Sequence, residues 1–86
     1  MSNSAAFFNT KGYNLATWGK ILEHNLYRKA IMIANGGTEN IKFGFGTNSV
    51  EADSVTLKPG DVMKFDKMVP IEQLWGVGYL VIGEVM

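Results

Sequence analysis

The chain contains no cysteine, two prolines and one histidine among its 86 residues. Without cysteine, neither a disulfide framework nor thiolate-held zinc can reinforce the core. His24 alone supplies too few soft ligands for a transition-metal site. It also has no thiol to pair with as a base, and Glu23 and Asn25 beside it read as a polar loop. Glu51, Asp53, Asp61 and Asp66 lack the alternating ligand-and-glycine spacing of a calcium loop, so they read as solvated strand ends. Excess charge of either sign is missing too: eight basic residues balance eight acidic ones, for a formal charge of zero with His24 neutral. Proteins that bind nucleic acid through its phosphates carry a basic excess, so that partner class is disfavoured. The glycines at 36, 37, 44 and 46 are followed by neither Lys-Ser/Thr nor a helix start, which excludes a phosphate loop. Residues 1–9 have no basic n-region and no long apolar core, so they do not read as a signal peptide. The most apolar stretch, 74–86, is interrupted by Gly76, Gly78, Gly83 and Glu84 and is too short to span a bilayer as a helix. The expectation is a soluble, non-enzymatic protein made in the cytoplasm, with no metal, cofactor or membrane partner.

What is present is apolar. Hydrophobic residues make up 47% of the chain, aromatics 12% and charged residues only 19%. Surface scaling gives a folded area of roughly 5,000 Å² against about 14,000 Å² for the extended chain, a thin margin for one small domain. So small an interior cannot hide all of that apolar surface, and part of it is expected to meet a partner.

Residues 1–11 are rich in Ser, Asn and Ala, with Phe7 and Phe8 as the only large apolar side chains. They read as a flexible N-terminal arm, with residues 12–86 as a single domain. Residues 12–22 carry Tyr13, Leu15, Trp18 and Ile21 in neither clean period, and Gly12 and Gly19 argue against a helix, leaving one strand or two short ones. Residues 22–29 place Leu22, Leu26 and Lys29 where a single helical turn would align them. The run Ala30, Ile31, Met32, Ile33 and Ala34 suits a strand covered on both faces. The Asn35-Gly36-Gly37 group after it predicts a tight hairpin turn. Ile41, Phe43 and Phe45 then alternate with Lys42, Gly44 and Gly46, a period of two with one apolar face. Val55 and Leu57 lead into Lys58-Pro59-Gly60, where Pro at i+1 and Gly at i+2 specify a type II turn. Met63 and Phe65 alternate again, and residues 74–86 close the domain. Short strands at spacings near ten residues, joined by turn chemistry, predict an all-β fold: a small antiparallel sandwich or barrel with an extended N-terminal arm. The expected core is Ile31, Ile33, Ile41, Phe43, Phe45, Leu57, Phe65 and Val81.

The segment 25–85 resembles a small β-domain that recurs in the structural proteins of tailed bacteriophages, among them capsid decoration (cement) proteins and head fibres. The resemblance rests on Asn25, Arg28, Lys29 and Ala30 before the aliphatic strand with Ile31 and Ile33, then Asn35. It continues through Phe43-Gly44-Phe45-Gly46, the turn Leu57-Lys58-Pro59-Gly60-Asp61, the small-residue stretch Leu74-Trp75-Gly76-Val77-Gly78, and the final strand to Val85. It implies a virion structural protein that stabilises a capsid by binding the major capsid protein or another virion structural protein. Many copies would act together, and a homo-oligomer, a trimer on a local threefold axis, would match several contact points at once. The residues expected at such contacts are Phe7, Phe8, Trp18, Arg28 and Trp75. Arg28 in particular opens the strand with a planar fork suited to a carboxylate or to backbone carbonyls.

Two other functions fit parts of the sequence. Trp18, Trp75 and Tyr79 would form a stacking platform in a carbohydrate- or receptor-binding β-sandwich. The segment Ile41-Lys42-Phe43-Gly44-Phe45-Gly46 resembles the aromatic-glycine strand of cold-shock domains and RNA recognition motifs, which stack single-stranded bases. A core-facing strand would show the same alternation.

Overall fold

The computed structural model describes residues 9–47 and 49–86, so Phe7 and Phe8 lie outside the described residues. Six strands follow in order: β1 (Asn9–Leu22), β2 (Ala30–Asn35), β3 (Ile41–Phe45), β4 (Val55–Leu57), β5 (Val62–Phe65) and β6 (Leu74–Val85). They form one antiparallel sheet, curled into a half-barrel. The sequence allowed a sandwich or a barrel, and the chain adopts the barrel-like form, left open. Residues 12–22 form one strand rather than two. It starts at Asn9, paired with Glu84, so residues 9–11 are strand and not arm. Residues 23–29 contain a turn at Leu26 and Tyr27 and no helix.

β6 is the hub. β1 pairs along its whole length on one side, while β2 and β3 lie end to end along the other. β5 and β4 in turn flank β2 and β3. The expected β2–β3 hairpin therefore does not form, because the two strands continue in one direction with residues 37–40 displaced between them. The side chain of Asn35 fixes that displacement. Its Oδ1 accepts the Gly37 N–H at 2.9 Å, and its Nδ2 donates to the Glu39 and Leu57 carbonyls at 2.7 and 3.0 Å. An Asn-Gly-Gly group can serve a hairpin, but here its amide builds a side-chain turn that sends the chain onward. The type II turn at 58–61 does form, with Gly60 at φ +86° and the Asp61 N–H donating to the Lys58 carbonyl at 2.9 Å.

Every strand path is interrupted at the same level of the sheet. β1 shifts register between Leu15 and Gly19, β6 has Gly78 at φ +100°, β2 gives way to β3 across residues 36–40, and β4 to β5 across 58–61. The sheet bends along this crease, bringing its two halves face to face. About 40 Å of extended strand would separate Glu72 from Glu84, yet one guanidinium reaches both. Arg28 Nε donates to Glu84 Oε2 at 2.7 Å, Nη1 to the Pro70 and Glu72 carbonyls at 2.8 and 3.2 Å, and Nη2 to the Glu23 carbonyl at 3.3 Å.

The core fills the inside of the bend. Ile31, Ile33, Leu80 and Ile82 come from one half, and Ile41, Phe43, Leu57 and Leu74 from the other. Phe45 and Phe65, from opposite halves, meet edge-on at 5.8 Å, half-buried at the rim of this cluster. Val81 departs from expectation. Residues 80–82 are all apolar, so pattern alone cannot assign their faces; the register with β2 turns Leu80 and Ile82 inward and Val81 outward. β2 is likewise covered on one face only, with Met32 and Ala34 half-buried on the outer side.

Candidate functional site: the outer face and the crease

The outer face follows from the register. Trp75, Val77, Tyr79 and Val81 of β6 share it with Met32 and Ala34 of β2, Gly44 of β3 and Val62 of β5. Alternation places an aliphatic row on this side as well as on the core side, because β2 and β6 are apolar at successive positions. Val62 is 57% exposed and Tyr79 42%.

Trp18 and Trp75 lie at one end of this face, both beside Gly44. Both indoles are half-buried. Trp75 Nε1 donates to the Gly46 carbonyl at 2.9 Å and Trp18 Nε1 to the Ser49 carbonyl at 3.0 Å, so the pair secures the chain leaving β3. Tyr79 is not part of this group. It lies beyond the crease from Trp75, about 13 Å along the strand, and the three rings do not share a platform. Arg28 is 4% exposed and its side chain is fully buried, so it presents almost no surface to another molecule. Phe43 is buried and meets Phe45 edge-on at 6.0 Å, so these rings belong to the core and its rim and not to an open base-stacking face.

Tyr79, grouped with the tryptophans in the sequence, instead packs against glycines on both sides of β6. Its ring reaches across β6 between two glycines of the neighbouring chain segments. A Cβ at Gly12 would sit 2.8 Å from the Tyr79 hydroxyl, and one at Gly36 would sit 3.3 Å from Cε2 and 2.7 Å from Val81 Cγ2. These glycines are needed for close approach: any larger residue would lift the ring off the backbone. Gly36 still donates its N–H to the Tyr79 carbonyl at 3.2 Å; where residues 37–40 then swing away from β6, a cleft of about 270 Å³ opens, lined by Asn14, Gly37, Thr38, Glu39, Asn40, Gly78 and Tyr79. Asn14 pairs directly with Tyr79.

The remaining edge belongs to β1, which pairs only with β6 among the described residues. Its two register shifts both fall after Leu15, leaving residues 9–15 regular and unpaired on their outer side. Among the described residues, no group of three or more His, Asp or Glu side chains is placed to hold a metal ion, and no helix is long and apolar enough to cross a membrane. No protein-family model, curated protein or solved structure matches this chain.

Proposed function

We propose that this chain is a non-enzymatic structural protein that binds a repeating protein surface, in the form the sequence resemblance implies: a bacteriophage decoration protein seated on assembled capsid protein. The observation that supports this reading is the regular, unpaired edge of β1 at residues 9–15, continuous with an apolar outer face that includes Val62 and Tyr79. An unpaired edge offers main-chain donors and acceptors to a partner strand, while the apolar face beside it supplies area to desolvate. The zero net charge leaves little long-range repulsion between copies crowded on one lattice. Each contact can be weak, since a lattice multiplies it.

Mass spectrometry of virions purified from the chain's native source tests this. The chain is expected among the particle proteins at a fixed ratio to the capsid protein. Its absence from particles, together with a strict monomer by sedimentation at tens of micromolar, contradicts the proposal.

A further inference from the structure

We propose that the crease cleft is a binding site for a neutral saccharide, with Tyr79 as its stacking ring and Asn14, Glu39 and Asn40 as its polar rim. The case for this site does not rest on the capsid-binding reading, although Tyr79 belongs to the same outer face. A pyranose presents an apolar C–H face and a ring of hydroxyls that both donate and accept, and the cleft offers a match for each. Tyr79 is 42% exposed, and its ring lies across β6 in the room left by the missing side chains at Gly12 and Gly36. Around it, the Asn14 and Asn40 amides can each donate and accept, and the Glu39 carboxylate can accept from two vicinal hydroxyls. None of these three side chains, nor that of Thr38, has a hydrogen-bond partner among the described residues. A volume of about 270 Å³ lies just below the range of roughly 300–1,000 Å³ for drug-sized ligands and suits one sugar ring.

The lining also argues against other classes. Among the described residues no Lys or Arg lines the cleft, and Glu39 would repel a phosphate, which disfavours nucleotides and phosphorylated ligands. The two tryptophans, by contrast, commit their indole N–H groups within the chain. The cleft lies where the chain leaves β6 after Gly36, with the Asn35 side chain holding residues 37–39, so the site is built by the same hydrogen bonds that carry the chain past a β2–β3 hairpin.

Amide-resolved NMR titration with the methyl glycosides of glucose, galactose, mannose and N-acetylglucosamine, each to tens of millimolar, tests the site. At least one is expected to give saturable shifts centred on Asn14, Gly37, Asn40 and Tyr79, with millimolar affinity. Tyr79→Ala should weaken that binding at least tenfold and Tyr79→Phe much less. Glu39→Gln and Asn40→Ala, at exposed positions, should weaken it severalfold while leaving the melting temperature unchanged. Shifts centred on Trp18 and Trp75, tighter binding of uridine or adenosine, or no saturable shift with any glycoside would each overturn the proposal. So would unchanged affinity in the Glu39 and Asn40 variants.

Discussion

A guanidinium with a fully buried side chain is tolerated only when its donors are matched, and Arg28 is matched by one carboxylate and three carbonyls. Arg28→Met should therefore lower stability by about 3–5 kcal/mol, the range for breaking a buried pair by removing one partner. Arg28→Lys should recover little, because a point charge cannot reach the Glu84 carboxylate and the carbonyls at the opposite end of β6 at once. Urea unfolding of the three proteins checks this; equal midpoints would show that the two ends of β6 are held by something else. The sequence showed a planar fork at the start of a buried strand and left open whether it faced solvent or carbonyls. What it could not show was that Glu23, Pro70, Glu72 and Glu84 converge, since that depends on β6 bending back. Gly78 marks the bend. Alanine there would be strained at φ +100° and would place Cβ 2.8 Å from Ile41 Cγ2. The backbone strain alone costs about 1–2 kcal/mol, with roughly 1–3 more from overpacking. Alanine at Gly46, also at positive φ but with nothing within 4 Å, carries only the strain. Thermal melts should rank Gly78→Ala well below Gly46→Ala, and the reverse order would place the crease elsewhere.

At the scale of elements, strands were legible where alternation was clean and turn chemistry unambiguous. Ile41, Phe43 and the Pro59-Gly60 turn stand where the pattern put them. Faces were illegible where both sides of a strand are apolar, as in β6. Leu80→Ala should cost about 2–5 kcal/mol as a core truncation, whereas Val81→Ala, on the outer face, should cost under about 1 kcal/mol. Comparable losses at the two sites would mean the β2–β6 register is shifted by one residue. The hairpin after β2 misled for a different reason. Asn-Gly-Gly satisfies a tight turn locally, and only the carbonyls of Glu39 and Leu57 reveal that the Asn35 amide is engaged across the sheet. The candidate cleft was hidden for the same reason: Asn14, Glu39, Asn40 and Tyr79 are brought together by that diversion, and no spacing in the sequence announces it.

The described residues form one sheet folded along a line of four interruptions, clasped at its open ends by Arg28 and filled along its inner face. That construction leaves an apolar outer face and a regular stretch of β1 edge unpaired among the described residues. Natural sheets usually protect such an edge with bulges or charge; β1 carries its register shifts only beyond Leu15, and Lys11 is the one charged residue between 9 and 15. Removing residues 1–8, which hold Phe7 and Phe8, should leave the melting temperature unchanged and weaken attachment to the assembly. A destabilised deletion would assign them to the core instead. The most direct measurement for the docking role is co-sedimentation of the chain with purified capsids lacking it, for the native chain and for Val62→Lys. Val62 is exposed, so the substitution should change stability by no more than about 0.5 kcal/mol. The native chain is predicted to pellet with particles and to saturate at a fixed number per capsid protein, while Val62→Lys, equally stable, binds at least tenfold more weakly. A native chain that stays in the supernatant at tens of micromolar, or a Val62→Lys variant that saturates identically, would contradict docking through the outer face.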